Sequence, residues 1–272
     1  MTASATKRIE LSTERMLAHV EAGIGWMTFN QPEKRNAVSY DMWVAIPEIV
    51  AAFASDGEVR VVVMRGAGDK AFVSGADISE FEEKRGSADA IEVYERATAA
   101  AHAALKGLEK PLIAMIRGYC VGGGLAVALA ADIRVAADDG QFAVPAARLG
   151  LGYGYRGIRD LVQLVGPSFA KEIFFTARRF NAQEAKDMGL VNRVVPAAEL
   201  EAATRALAET IAGNAPLTVK AAKAAVAEHA KDPGERDLKR IEALVAECFA
   251  SEDYVEGRRA FMEKRRPQFK GR

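Results

Sequence analysis

Three consecutive glycines, Gly122-Gly123-Gly124, stand between two apolar runs. The run before them, Leu112-Ile113-Ala114-Met115-Ile116, reads as a buried strand, and the alanine-rich run after them, Ala126 to Ala131, as a buried helix. Glycine tolerates φ > 0 and lets a ligand come close to the backbone. A helix start presents unpaired N–H groups and a partial positive charge. Such a junction can hold an anion or a developing oxyanion. It can equally be a tight turn that packs the helix on the strand, and the stretch alone leaves both readings open. A second junction of the same build lies upstream at Ala71-Phe72-Val73-Ser74-Gly75-Ala76-Asp77-Ile78, where an apolar strand end meets Ser-Gly and Asp77 opens a polar helix. Two such junctions suggest a repeated unit.

Other chemistries find little support. The triple glycine lacks the G-x-G-x-x-G spacing, and no P-loop lysine follows it, so a nucleotide-binding fold is not indicated. The 272 residues include only three histidines, His19, His102 and His229, and two distant cysteines, Cys120 and Cys248. That set argues against a zinc site or a disulfide framework. Lys+Arg and Asp+Glu both number 37, so no basic surplus points to nucleic acid. Met1 to Glu10 carries no signal-peptide core, and no apolar run is long enough to span a bilayer. The expectation is a cytoplasmic protein without a metal or a membrane partner.

The elements that must position the two junctions follow from periodicity and punctuation. Residues 1–12 read as a frayed end, and Met16 to Glu21 and Gly25 to Phe29 as a hairpin around Ala22-Gly23. Asn30 to Asn36 is a polar loop. Ser39 is placed to cap a helix reaching Phe53, with a kink or break expected at Pro47. Val59 to Arg65 is a strand, Ser87 to Leu108 a long amphipathic helix, and Asp132 to Ala136 another strand. Gln141 to Gly157 reads as a glycine-rich loop segment carrying Arg148, Tyr153, Tyr155 and Arg156. Helices follow at about 158–165, 168–175 and 182–188, then a short strand, Val191 to Val195. From about 197 onward the chain reads as helical, broken near Pro216 and Pro233. Alternating strands and helices make the class α/β.

At this level of detail the chain resembles the crotonase superfamily, the enoyl-CoA hydratase/isomerase family. The matching pieces are Asn30-Gln31-Pro32-Glu33-Lys34-Arg35-Asn36-Ala37, Phe72 to Ile78, Gly118 to Gly124 and Asp132-Ile133. Thr176 to Ala185, Gly189-Leu190-Val191, Glu256-Gly257 and Ala260 to Arg265 complete the series in the family's order. The resemblance implies a spiral of ββα units over 1–196 that carries an acyl-CoA site. It implies a C-terminal helical region over 197–272 used in subunit contacts and CoA cover, in a homotrimer or a dimer of trimers. It implies an acyl-CoA thioester as substrate and no separate cofactor. The N–H groups of Ala76 and Gly123 would form the oxyanion hole. Ser74, Ala76, Asp77, Ile78 and Ser79 would line the CoA path, with Lys34 and Arg35 near its nucleotide end. Phe261 and Lys264 would reach the CoA of a neighbouring subunit.

The resemblance also marks departures. The two glutamates with which a 2-enoyl-CoA hydratase activates water would stand at positions occupied here by Ala126 and Ala146. General acid–base help is worth about two to four orders of magnitude, and alanine supplies none. The second half of the chain is similar to the methylmalonyl-CoA decarboxylase branch, through Leu149 to Tyr153, Gly157-Ile158, Lys171 to Ala177 and Ser251-Glu252-Asp253-Tyr254 through the end. In that branch a tyrosine at the position of Tyr153 sits by the substrate carboxylate, which makes Tyr153 a catalytic candidate. The same branch carries a histidine at the position of Ala76 and a glutamate at that of Ala126, and this chain has neither. Arg148 and Arg156 could pair with a carboxylate or serve as surface charge. His102 reads as a structural residue of an alanine-rich helix. Glu80, Glu82 or Glu83 could replace a lost base or be solvated helix charge. Three readings follow: an enolate-forming enzyme, with decarboxylation of a malonyl-type CoA as its concrete form; a hydratase or isomerase with a relocated base; and a non-catalytic acyl-CoA-binding relative.

Overall fold

The computed structural model describes residues 6–80 and 88–272. Three consecutive segments repeat one path: a strand in a first sheet, a sharp corner, a strand in a second sheet, then a helix. The first uses β4 (Val61–Gly66), β5 (Ala71–Val73) and α2 (Ala88–Gly107). The second uses β6 (Leu112–Ile116), β7 (Tyr119–Val121) and α3 (Gly123–Leu129). The third uses β8 (Ile133–Ala137), β9 (Gln141–Ala143) and α4 (Tyr155–Thr176). Close packing explains glycine at the first two corners. A Cβ on Gly66 would overlap the carbonyl oxygen of Ala71, and one on Gly118 would overlap that of Lys70.

Repetition stacks like strands beside like. Among the described residues β4, β6 and β8 run parallel in a seven-stranded sheet, completed by β11 (Arg193–Val195) at one side. At the other side stand β1 (Lys7–Ile9), β2 (Met16–Glu21) and β3 (Ile24–Phe29). β5, β7 and β9 run parallel in a four-stranded sheet that ends on β10 (Phe180–Asn181). The β2–β3 hairpin turns at Ala22 and Gly23, both at positive φ (51° and 78°), as a two-residue turn matched to strand twist requires.

The main core lies where α1 (Tyr40–Ser55) packs on the first sheet. Met42, Trp43, Ile46, Ile49 and Phe53 are all buried. Each large side chain so buried contributes roughly 1.5–3 kcal/mol. Of the kink or break expected at Pro47, the break does not occur: α1 runs through as one helix, because its apolar face is anchored on both sides of the proline. Ser39 occupies the N-cap position of α1, yet its hydroxyl donates to the Asp41 carboxylate and accepts from no backbone N–H of the helix. The helix near 158–175 is broken where expected, at Gly166 (φ 73°) before Pro167. Four short strands lie where no strand was read: β1 within the supposed frayed end, β7 just before the triple glycine, β9 inside the glycine-rich segment and β10 after α4. All are two or three residues long and are made by their sheet partners, not by local pattern. The expected start of the long helix at Ser87 lies outside the described residues. α5 (Ala182–Asp187) starts on a capping box between Asn181 and Glu184. α6 (Leu200–Ala212), α7 (Pro216–His229), α8 (Leu238–Ala250) and α9 (Glu252–Met262) form the C-terminal helical region. No helix among the described residues is long and apolar enough to cross a membrane.

Candidate active site

The two glycine junctions meet. β5 and β7 are paired neighbours, so the turns leaving their C-terminal ends lie side by side. A Cβ placed on Gly123 would sit 3.6 Å from the amide nitrogen of Ala76. Each of these two residues follows a glycine at positive φ: Gly75 at 120° before Ala76, and Gly122 at 54° before Gly123. An L side chain resists that backbone, so glycine is what lets the next peptide turn inward.

Both amides are unpaired among the described residues. Val38 donates to the carbonyl of Gly75 at 2.8 Å and accepts from the amide of Asp77 at 2.9 Å, bracketing Ala76 in a parallel bridge. The N–H of Ala76 therefore faces away from Val38. Gly123 is the first residue of α3, where an N–H has no intrahelical acceptor. Neither N–H donates to any acceptor among the described residues. Two donors without an acceptor among the described residues, one at the start of a helix, are the kind of groups that can stabilise an oxygen that gains charge.

Several contacts hold the pair in place. A Cβ on Gly124 would overlap the carbonyl oxygen of Val73, so α3 is pressed against β5. At the far end of α3 the buried Arg134 donates to the carbonyls of Ala131 at 2.6 Å and Leu190 at 2.8 Å. That closes the helix end with a cation, as its dipole favours. Asp77, buried at 5% exposure, accepts from Lys34 at 2.8 Å and Gln31 at 3.1 Å, and from the amide and hydroxyl of Ser79 at 3.0 and 2.6 Å. Burial pushes its carboxyl up, but these donors outweigh burial and hold it at about 2. Asp77 thus ties the loop of residues 31–36 to the Ala76 turn.

The other residues singled out by sequence fall in several places. Lys34 is committed to Asp77 and Ser79, both at 2.8 Å. Arg35 is exposed, and its guanidinium lies 5.1 Å from the ring centre of Tyr119, as does that of Arg179. Ser74 donates from its amide to the carbonyl of Arg35 at 3.2 Å. Ile78 stands in a 3₁₀ turn, Ile78–Glu80, and its side chain lies outside the described residues, as does that of Arg156. Glu82 and Glu83 lie outside them too. Glu80 accepts from the amide of Tyr40 at 2.9 Å and from Arg15 at 3.0 Å, so it caps α1. Arg148 is exposed. Phe261 is 83% exposed on the wall of a separate groove between α7, α8 and α9, and Lys264 is exposed just beyond α9.

Tyr153 packs edge-on against Phe174, with ring centres 5.1 Å apart, and burial raises its phenol pKa. Its hydroxyl has no hydrogen-bond partner among the described residues. Gly154 and Gly157, its neighbours, line a cavity of about 730 Å³ between α2, α3 and α4. The same wall carries Ala126, which stands one turn along α3 from Gly123 and therefore on the same helix face. Ala146 is buried at 5% exposure. Sequence reading missed what faces Ala126. His102, Tyr94 and Glu95 of α2 line the cavity, together with the Lys106–Asp160 ion pair. Their spacing at 94, 95, 98, 102 and 106 on one helix was a visible signal, since it repeats at i+4. Among the described residues no three His, Cys, Asp or Glu side chains come together as metal ligands would.

Comparison with known proteins adds the family. The family model for enoyl-CoA hydratase/isomerase matches residues 19–272. The chain is 35% identical over 269 residues to a short-chain-enoyl-CoA hydratase of Clostridium acetobutylicum, covering 96% of this chain and 100% of that one. It is 36% identical over 259 residues to a carnitinyl-CoA dehydratase of Salmonella typhi, covering 90% and 94%. A solved structure described as a putative enoyl-CoA hydratase/isomerase family protein from Hyphomonas neptunium superposes with a TM-score of 0.89. That protein is 38% identical, with 97% of this chain and 100% of that chain covered.

Proposed function

Because this chain belongs to the enoyl-CoA hydratase/isomerase family, as an acyl-CoA enzyme of the lyase or isomerase type, we propose that Ala76 and Gly123 hold a thioester carbonyl between their N–H groups and stabilise its enolate. The observation that carries this reading is the pair of unpaired amides, each behind a positive-φ glycine, with 3.6 Å between the Gly123 Cβ direction and the Ala76 nitrogen. Two fixed donors act on charge as it develops and need no reorganisation. Loss of one such donor costs on the order of 3 kcal/mol in other enzymes.

The reaction we favour forms the enolate without a carboxylate at 126 or 146. In decarboxylation of a malonyl-type CoA, the C–CO2 bond breaks and its electron pair becomes the enolate. No base is needed for that step. Ala126 on the cavity wall and Ala146 in the interior support it, since neither can take a proton. A second reading is addition or elimination of water at the α,β-bond with a relocated base. The titratable side chains that face Ala126 across the cavity favour that reading. Tyr153 enters as the support of the Gly154–Gly157 turn, because its ring packs on Phe174.

The CoA moiety runs past Ser74, Asp77 and Ile78, with Arg35 and Lys34 toward its phosphates. Phe261 and Lys264 complete the cover from a neighbouring subunit. The groove between α7, α8 and α9, lined by Val245, Phe249, Tyr254 and Phe261, supports burial of this region in a trimer or a dimer of trimers. The deciding experiment is mass-spectrometric. Incubation with methylmalonyl-CoA yields propionyl-CoA, while crotonyl-CoA is left unchanged. Hydrated crotonyl-CoA with intact methylmalonyl-CoA replaces the first reading with the second.

A further inference from the structure

The cavity beside Ala126 has one wall of small side chains and one of titratable ones. α3 and α4 contribute Ala126, Leu129, Gly154 and Gly157, and α2 contributes Tyr94, Glu95, Thr98 and His102. His102 is half-buried there, with its ring centre 5.5 Å from that of Trp43. Trp43 in turn reaches the oxyanion pair: its Cζ2 lies 3.8 Å from the Cβ position of Gly123. Its indole N–H donates to the Tyr94 hydroxyl at 2.9 Å, which fixes the orientation of the ring. His102 makes no hydrogen bond among the described residues, so both ring nitrogens are free to meet a ligand or water.

From this geometry we propose that His102 exchanges a proton with the α-carbon of the acyl group held at Ala76 and Gly123. The inference rests on the thioester reading of that pair. In one direction the α-C–H bond breaks, its electron pair becomes the enolate, and the proton goes to a ring nitrogen of His102. In the other, the imidazolium returns a proton to the α-carbon. Decarboxylation needs the second half, after CO2 has left, and for it the neutral imidazole first takes up a proton from solvent. Water addition needs it too, with the proton first taken from the water that attacks the β-carbon. One side chain thereby serves the enolate that both readings share.

Burial, more than the charges around it, keeps His102 neutral at neutral pH. Burial lowers its pKa from the ordinary value, and Lys106 lowers it further while Asp160 opposes. The other charged groups on the cavity wall are Glu95 of α2 and Arg159 of α4, and the lining residues of α3 carry no charge. A neutral imidazole is the form that accepts a proton.

The test is hydrogen–deuterium exchange at the α-carbon of propionyl-CoA in D2O, followed by mass spectrometry, with propionyl-CoA binding measured in parallel by calorimetry. The wild-type chain is expected to exchange, with a rate that falls as pH drops through a midpoint below about 6.5. His102→Gln is expected to bind propionyl-CoA within a few fold and to exchange roughly 10² to 10⁴ times more slowly. Exchange at the wild-type rate in that variant overturns the proposal, as does binding without exchange in the wild type. Should the variant not fold, the wild-type profile decides: a rate that does not fall with decreasing pH anywhere below about 6.5 while the protein stays folded overturns it. Failure of the wild type to bind propionyl-CoA is a different result, because it removes the thioester reading itself and the inference with it.

Discussion

The amide nitrogen of Ala76 and the Cβ direction of Gly123 are 3.6 Å apart, although 46 residues separate them in the chain. That distance is an ordinary contact for a methyl group, and Gly123 has no positive φ to forbid one. A methyl there would stand where the proposed carbonyl oxygen binds. Gly123→Ala is therefore expected to keep its melting temperature within a few degrees and to lose about 10²–10³ in kcat/KM. Calorimetry and steady-state kinetics on one preparation check both halves.

The next residue behaves oppositely. A Cβ on Gly124 would overlap the carbonyl oxygen of Val73, which is backbone and cannot swing away. Gly124→Ala is expected to destabilise the fold by about 1–3 kcal/mol or more, read as a lower urea midpoint.

Asp77 gives a signed pH dependence. Its carboxyl lies at about 2 in the folded chain, against 3.8 ordinarily. A depressed pKa means that the folded state prefers the charged form. Its contribution, on the order of 2 kcal/mol, is present above about pH 4 and is lost as pH falls through about 2. Asp77→Asn is expected to lower stability at pH 7 and to lose this part of the acid dependence. Urea melts at pH 7 and pH 3 test it, and equal pH dependence in both proteins counts against it.

Tyr153→Phe is expected to leave stability and turnover within about threefold of the parent. The ring contact with Phe174 survives, and the hydroxyl removed has no partner among the described residues. A hundredfold loss of turnover with unchanged propionyl-CoA binding would instead place the phenol on the substrate.

Carboxylates returned to the two alanine positions should differ in effect. Ala126 borders the cavity, so Ala126→Glu has room and solvent, and crotonyl-CoA hydration is expected to rise at least tenfold. Ala146 is buried, and Ala146→Glu is expected to cost about 1–3 kcal/mol before any gain in chemistry. Hydration assays and melts on the two single variants separate these effects.

Some of this was legible in residues alone. Gly75 and Gly122 mark places where the backbone must turn through positive φ, and β-branched runs such as Val61-Val62-Val63 mark buried strands. The order of the strand–glycine–helix units followed from those local preferences, and so did the helix break at Gly166-Pro167. Other features had no local cause. The three-residue strands β1 and β9 exist because a neighbouring strand offers unpaired groups to them. α1 continues through Pro47 because buried side chains on both sides hold it. His102 looks inert in an alanine-rich helix until α3 and α4 fold across it and leave a cavity. Local steric and periodic preferences act over a few residues, so the sequence by itself determined the two amide-bearing turns. Long-range packing alone decided that β5 and β7 lie side by side, that the Ala76 and Gly123 turns meet, and that an imidazole packs on Trp43 and shares a cavity with Ala126.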